Sequence, residues 1–230
     1  MNVNDSRVLN LILEKKIITI VRGTYGDDLR KLAHALYDGG IRFMEVTFDQ
    51  KDPDCIAKTA GAISMLNAEF AGCDFYAGAG TVLTKEQVKA AFDAGASYII
   101  SPNTNPEVIR YTKELGLVSI PGAMTPTEIL FAHDCGADIV KLFPAATLGL
   151  KYVKDILAPI SHVAIIATAG ITEENFAEFL KLGLKGAGIS GRLTDKKLIA
   201  ARDWEEFTRR AKAFVDIADN RGTFKTPSCV

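Results

Sequence analysis

The segment TKEQVKAAFDAGASYIIS (residues 84–101) contains one complete helix–turn–strand unit and decides the fold prediction. Thr84, with Gln87 three residues later, has the pattern of a capping box, so a helix is predicted to begin here. Gly95 follows the helical stretch, where a residue in the left-handed conformation often ends a helix. The next residues, 98–100, are apolar without alternation, which indicates a strand buried on both faces, as in a parallel sheet.

The same unit recurs along the whole chain. Turns of one form end in a glycine after a helical stretch at Gly40, Gly95, Gly116, Gly136 and Gly183. Further helix starts are predicted at Asn105, Thr125 and Thr172. The strand candidates are 17–22, 42–48, 75–80, 97–101, 117–121, 138–143, 163–168 and 186–190. Eight strand–helix units in this length are typical of an α/β (β/α)8 barrel, or TIM barrel. An open doubly wound sheet is the alternative, but no Gly-x-Gly-x-x-Gly follows the first strand.

The two ends of the chain carry separate predictions. Residues 1–16 are predicted to form an extra N-terminal helix that caps the bottom of the barrel. Residues 221–230 are predicted to be a loosely ordered tail. We expect residues 1–230 to form a single domain, although the length alone also allows two small ones.

Composition excludes several classes of function. The net charge is −1, and no basic run indicates a nucleic-acid or membrane-surface partner. No apolar stretch approaches the roughly 18 residues of a membrane span, and the first residues lack the features of a signal peptide. Four scattered cysteines without a Cys-x-x-Cys pair favour reduced thiols and a cytoplasmic location. The three histidines are far apart, so no metal site and no cofactor are predicted.

Lys141 is the most informative candidate for chemistry, because it interrupts the apolar run of the sixth predicted strand. Active sites of (β/α)8 barrels lie at the C-terminal ends of the strands. Burial lowers the pKa of a lysine, and the neutral amine is the nucleophile that forms a Schiff base with a ketone. The alternatives are a lysine that extends to solvent or one held in a buried ion pair.

Three other strand ends carry polar residues that complement Lys141. Glu45, in the second strand, forms an acid/base couple with the lysine if both face one cavity; a simple salt bridge requires the same orientation. Arg22, after the first strand, suits a bidentate contact to a carboxylate, or is a surface arginine. Thr81 follows a Gly-Ala-Gly turn and can donate a hydroxyl hydrogen bond to the same carboxylate.

The last two strand ends, 168–171 and 190–191, contain small residues. Barrels commonly bind phosphate at these ends on backbone N–H groups. Tight turns that bind no ligand have the same composition, so the sequence leaves both readings open.

The order and spacing of these segments resemble the 2-keto-3-deoxy-6-phosphogluconate / 2-keto-4-hydroxyglutarate aldolase family over nearly the whole chain. The segments are Ile-Val-Arg22, Gly39 to Thr47, Gly78-Ala-Gly-Thr81, Ser101-Pro102, Pro121-Gly122, Lys141 to Pro144 and Thr168-Ala-Gly170. The resemblance implies a class I, metal-independent aldolase on a (β/α)8 barrel, usually a homotrimer.

The resemblance also implies a role for each candidate residue. Lys141 would be the Schiff-base lysine and Glu45 the general acid/base, while Arg22 and Thr81 would bind the substrate carboxylate. Around the distal phosphate would lie Gly170, Ser190 and Gly191. The residues expected to line the rest of the site are Thr47, Gly80, Pro102, Pro121 and Phe143.

Three departures from the family pattern concern the substrate. Asp49 replaces an arginine that many members use to bind the substrate carboxylate. Ala169 replaces the first glycine of the usual Thr-Gly-Gly turn. The usual Gly-Ser order is reversed in Ser190-Gly191, which Arg192 follows. These changes leave the imine chemistry intact and put the identity of the sugar acid in question.

The predicted function is reversible cleavage of a 2-keto-3-deoxy sugar acid to pyruvate and an aldehyde. The predicted substrate is either a 6-phosphorylated acid, such as 2-keto-3-deoxy-6-phosphogluconate, or 2-keto-4-hydroxyglutarate. One alternative is a barrel isomerase or epimerase that acts on sugar phosphates without an imine. The other is a non-catalytic binder of phosphorylated acids, because a fold by itself does not establish catalysis.

Overall fold

The structure is a computed structural model that describes residues 3–219, with side chains from residue 6 onward. The strands are β1 (Ile17–Val21), β2 (Phe43–Thr47), β3 (Tyr76–Gly80), β4 (Tyr98–Ile100), β5 (Val118–Ile120), β6 (Gly122–Ala123), β7 (Val140–Leu142), β8 (Ile165–Thr168) and β9 (Ala187–Ile189). The helices are α1 (Val3–Lys15), α2 (Gly26–Asp38), α3 (Cys55–Glu69), α4 (Lys85–Asp93), α5 (Pro106–Glu114), α6 (Pro126–Asp134), α7 (Ala145–Leu157), α8 (Phe176–Lys181), α9 (Lys196–Ala201) and α10 (Trp204–Ala218).

The strands form one parallel sheet in the order β5-β4-β3-β2-β1-β9-β8-β7-β6. Only Pro121 separates β5 from β6 in the chain, yet β5 pairs with β4 and β6 pairs with β7. Proline has no N–H to donate to the ladder, so it divides the fifth predicted strand into β5 and β6. The barrel is closed at this strand, because its first part pairs with β4 and its second part with β7. The predicted (β/α)8 barrel is confirmed. The predicted end of the fifth strand at Pro121 is wrong, because the ladder resumes at Gly122.

Residues alternate between the two faces of each strand, as period-2 geometry requires. One apolar cluster fills the space between the strands and the outer helices. A second cluster lies inside the barrel and contains Ile18, Phe43 and Ile166. Val8 and Ile12 of α1 belong to this inner cluster and are nearly inaccessible to solvent. The predicted extra N-terminal helix is therefore confirmed, and it packs against the lower part of the barrel interior.

The helix starts at Thr84 and Thr125 follow the sequence signals, and the start at Thr172 does not. Thr84 accepts a hydrogen bond from the backbone N–H of Gln87, and Thr125 forms a complete capping box. All five turn glycines have positive φ, as left-handed helix ends require. The predicted start at Thr172 is wrong, because α8 begins at Phe176. Residues 172–175 form a separate turn in which the Thr172 N–H donates to the side chain of Asn175.

Two predictions about the chain as a whole are not decided by this architecture. The loosely ordered tail at 221–230 lies outside the described residues, and a single domain over 1–230 stays a prediction. Between residues 3 and 219, no helix combines the length and the apolarity needed to cross a membrane.

Candidate active site

A cavity of about 330 Å³ opens at the C-terminal ends of the barrel strands. It brings together the four residues to which the sequence assigned chemistry, namely Lys141, Glu45, Arg22 and Thr81. The remaining lining residues are Ile20, Pro102, Phe143, Thr168, Ala169, Ser190, Gly191, Thr194 and Lys196. This is the position at which (β/α)8 barrels carry their active sites.

Lys141 lies at the centre of β7, where its neighbours Val140 and Leu142 pack outward against the helices. The alternation of the strand therefore directs Lys141 into the cavity. Its side chain is 8% exposed, and its ammonium lies 5.3 Å from the centre of the Phe143 ring. Burial lowers the pKa of Lys141, against the opposing attraction of Glu45. This direction increases the fraction of the neutral amine at a given pH, and the neutral amine is the nucleophilic form.

Glu45 faces the same cavity from β2 and is 1% exposed. Burial raises its pKa to about 7, although the positive charges of Lys141 and Arg22 act in the opposite direction. Its Oε2 atom has no hydrogen-bond partner among the described residues. Gly80 lies directly against the carboxyl group, where a side chain would overlap it. At neutral pH this carboxyl group can accept or donate a proton, as a general acid/base must.

Arg22 and Thr81 form the cationic side of the cavity. The Arg22 Nη2 atom donates to Thr81 Oγ1 at 3.2 Å. The ammonium of Lys196 holds the segment after β1 by donating to the carbonyl oxygens of Arg22 at 2.5 Å and Gly23 at 2.9 Å, and to Thr24 Oγ1 at 2.7 Å. Arg22 and Thr81 thus present a guanidinium and a hydroxyl group from a fixed backbone, an arrangement that suits a carboxylate.

A second cavity of about 300 Å³ adjoins the first and shares Ala169, Ser190 and Gly191 with it. Gly170 lines only this distal cavity. Arg192 also lines it, but its guanidinium makes a bidentate pair with Glu173, with N–O distances of 2.9 and 3.0 Å. The guanidinium is therefore already bound to a carboxylate of the same chain.

Three residues that were predicted to line the site lie behind the cavity surface. Thr47 and Gly80 end the neighbouring strands β2 and β3 and face each other beside the Glu45 carboxyl. The carbonyl oxygen of Pro121 accepts the backbone N–H of Lys141 at 2.9 Å. They support the two catalytic candidates without lining the cavity.

Asp49, at the position where many family members carry arginine, is exposed and does not line the cavity. Its Oδ1 atom accepts the backbone N–H of Lys51 at 3.1 Å, so the side chain stabilises its own turn. The structure therefore places the Asp49 side chain outside the cavity, and its effect on the binding of a substrate carboxylate stays a prediction.

Three lining residues are not among those predicted from the sequence. Ile20 was detectable, because it precedes Arg22 by two positions on the same face of β1. Thr194 and Lys196 come from the loop and short helix after β9. A short extra helix after the last strand often contributes to barrel sites, which is the signal that would have indicated them.

The described residues contain no group of three His, Cys, Asp or Glu side chains placed to hold a metal ion. The chemistry available at the cavity is that of a buried amine, a carboxyl group of shifted pKa and an arginine. A (β/α)8 barrel with this set at its mouth belongs to the class of barrel enzymes that act on small anionic compounds.

The family can be stated more closely. The family model described as KDPG and KHG aldolase matches residues 8–210, and the chain belongs to this family. KDPG and KHG denote 2-keto-3-deoxy-6-phosphogluconate and 2-keto-4-hydroxyglutarate. The chain is therefore an aldolase, a carbon–carbon lyase of the class I type, as the sequence resemblance predicted.

Individual relatives extend over most of the chain. A 2-dehydro-3-deoxy-phosphogluconate aldolase of Haemophilus influenzae is 32% identical, over 94% of this chain and 99% of its own length. A probable 2-dehydro-3-deoxy-6-phosphogalactonate aldolase of Rhizobium meliloti is 35% identical, over 79% and 82%. The structure of the Legionella pneumophila KDPG aldolase, with pyruvate captured at low pH as a covalent carbinolamine intermediate, has a TM-score of 0.79 at 27% identity, covering 90% of this chain and 97% of its own.

Proposed function

We propose that this aldolase reversibly cleaves a 2-keto-3-deoxy sugar acid to pyruvate and an aldehyde through a Schiff base on Lys141. The observation that carries the proposal is the cavity shared by two buried groups, the Lys141 amine and the Glu45 carboxyl, next to Arg22. Covalent capture of pyruvate in the Legionella relative supports the same chemistry.

The first half of the reaction joins substrate and enzyme. Arg22 and Thr81 bind the carboxylate, which places the C2 carbonyl at the Lys141 amine. Nζ attacks C2 to give a carbinolamine. Glu45, protonated in part because its pKa is about 7, donates a proton to the departing hydroxyl, and loss of water leaves the protonated imine.

The second half breaks the carbon–carbon bond. The Glu45 carboxylate removes the proton of the C4 hydroxyl, and the C3–C4 electron pair moves into the protonated imine as the aldehyde forms. The product on the enzyme is a neutral enamine. Glu45 then returns its proton to C3, and hydrolysis of the imine releases pyruvate and restores the Lys141 amine.

The distal group of the substrate is proposed to be a phosphate at C6. Support comes from the distal cavity, where Gly170, Ser190 and Gly191 present a small-residue backbone next to the catalytic cavity, and from the phosphorylated substrates in the relatives' names. One local feature opposes an added anion: the Arg192 guanidinium is already paired with the Glu173 carboxylate, whose negative charge would repel a phosphate. We retain 2-keto-4-hydroxyglutarate as the second substrate candidate, because its distal carboxylate needs less space and less positive charge.

A panel of substrates tests the proposal. Pyruvate release, followed by a coupled assay, would be compared for 2-keto-3-deoxy-6-phosphogluconate, its galactonate epimer, the unphosphorylated acids and 2-keto-4-hydroxyglutarate. We expect release from at least one of them and its loss in Lys141→Arg, since arginine forms no imine. Retained activity in Lys141→Arg would favour an isomerase or epimerase, and saturable binding without pyruvate release would favour a binder.

The assembly and location are proposed on separate grounds. A homotrimer follows from the family resemblance, and exposed apolar residues around α6, namely Met124, Leu130 and Phe131, offer a surface for contact between copies. A cytoplasmic location follows from the scattered cysteines, of which Cys55, Cys73 and Cys135 are free.

A further inference from the structure

A chain of side-chain amides joins the loop after β2 to the turn that carries Thr81. Gln50 Nε2 donates to the carbonyl oxygen of Thr81 at 2.8 Å. Gln50 Oε1 accepts from Gln87 Nε2 at 3.0 Å. Gln87 in turn accepts the backbone N–H of Leu83 at 2.7 Å. Each group therefore donates to the next, from the Leu83 N–H through the amides of Gln87 and Gln50 to the carbonyl oxygen of Thr81.

Thr81 needs this support because its backbone has an unfavourable conformation. Its φ angle is +56°, in the left-handed region, where a β-branched residue is an outlier. Such a conformation costs of order 1–3 kcal/mol and persists only where surrounding contacts hold it. The Gln50 amide holds the carbonyl oxygen of this residue, while Arg22 bonds its hydroxyl group.

The anchor at Gln87 is itself well placed. Its side chain is 5% exposed, and its backbone N–H bonds Thr84 at the start of α4. In a complete capping box its side chain would accept the Thr84 N–H. Here it accepts the N–H of Leu83 instead, and its Nε2 atom is directed to Gln50. The amide chain thus begins from a fixed helix end.

We propose that Gln50 is a positioning residue for recognition of the substrate carboxylate. It acts through Thr81 and so through the Arg22–Thr81 pair, and it touches neither the reacting atoms nor the substrate. The loop after β2, in which Asp49 cannot bind an anion, contributes to carboxylate recognition by this indirect route. The inference rests on the proposed imine chemistry with 2-keto acids.

The expected effect is on binding rather than on turnover. In Gln50→Ala, the pyruvate concentration that gives half-maximal borohydride trapping, and KM for the cleaved acid, should rise about tenfold. The kcat should stay within about twofold, because Lys141 and Glu45 are untouched. Gln50→Glu should behave like Gln50→Ala, because a carboxylate accepts from Gln87 but cannot donate to the Thr81 carbonyl.

Two comparisons separate positioning from general damage to the loop. Lys58→Ala removes the 2.6 Å bond to Asp52 in the same loop region without touching Thr81, so it should leave half-saturation within about twofold of wild type. Thr81→Gly removes both the hydroxyl group and the backbone strain, since glycine accepts positive φ. In that background, adding Gln50→Ala should raise half-saturation by less than about twofold.

The outcomes are distinct from those of the proposed function. If the wild-type enzyme traps no pyruvate, the imine proposal fails before Gln50 is examined. If wild type traps pyruvate and Gln50→Ala matches it in half-saturation, the positioning role is overturned. The role is also overturned if Gln50→Ala lowers kcat without changing KM, or if its effect is undiminished in the Thr81→Gly background.

Discussion

Removal of the buried carboxyl group at position 45 should make the free energy of unfolding less sensitive to rising pH. Burial raises the pKa of Glu45 from 4.5 to about 7. Because the folded-state pKa is above the unfolded-state value, the stability from this group is fully present below about pH 4.5 and is lost as pH rises through about 7. A gap of about 2.5 pH units corresponds to about 3 kcal/mol, at ~1.36 kcal/mol per unit.

Glu45→Gln keeps the shape of the side chain and cannot ionise. Its free energy of unfolding relative to wild type should therefore increase by about 2.5 kcal/mol between pH 5 and pH 8. Urea denaturation at half-unit pH intervals measures this difference, in which other titrating groups largely cancel. The kcat of the variant should fall by at least about 100-fold, because the proposed general acid/base is lost.

The charge of Lys141 supplies the control. Lys141→Met removes an attraction that lowers the Glu45 pKa, so the same comparison in that background should give a pH-dependent difference at least as large. If the difference in the free energy of unfolding stays constant within about 0.5 kcal/mol from pH 5 to pH 8 in both backgrounds, the claim that burial raises the pKa of Glu45 is refuted.

Three further substitutions have expected outcomes. A methyl group in Gly80→Ala would overlap the Glu45 carboxyl, so kcat should fall by about 100-fold while circular dichroism stays native; unchanged kcat would contradict this placement. Glu173→Gln frees the Arg192 guanidinium from its bidentate partner, which should raise the kcat/KM ratio of phosphorylated to unphosphorylated substrate by about tenfold. Lys196→Met removes three hydrogen bonds after β1 and should lower the free energy of unfolding by about 1 kcal/mol, measured in urea, with a severalfold increase in KM.

Most of the barrel could be predicted from the sequence, because each strand–helix unit contains its own boundary signals. The glycines after the helices and the caps before them are local features, so they were readable without tertiary information. The fifth strand shows the limit of that reading. Pro121 ends local pairing, but the resumption at Gly122 depends on β7, a partner distant in sequence.

That Lys141 and Glu45 line one cavity was predictable for a related reason. Lys141 and Glu45 are charged residues in apolar strands that converge at one end of the barrel, which made a shared cavity the expectation to test. Their pKa shifts follow from burial, which the sequence indicates only indirectly. The pairing of Arg192 with Glu173 was not predictable, because it joins side chains from two loops whose conformations depend on tertiary packing.

Gln50 illustrates the same limit within the site. An exposed glutamine beside a turn carries no pattern of its own. Its contact to Thr81 depends on a loop-to-loop approach and on the positive φ of that residue. The helix start at Thr84 was predicted correctly. The Gln87 side chain does not complete the predicted capping box, because it bonds Leu83 and Gln50 instead.

Borohydride reduction in the presence of pyruvate tests the central claim most directly. A Schiff base on Lys141 predicts a mass increase of about 72 Da on one peptide, corresponding to pyruvate minus water plus two hydrogen atoms. Fragmentation should place the increase on Lys141, and Lys141→Arg should remain unmodified. Unmodified wild-type enzyme that nevertheless releases pyruvate from a 2-keto-3-deoxy acid, or modification at another lysine such as Lys196, would contradict the imine mechanism assigned to Lys141.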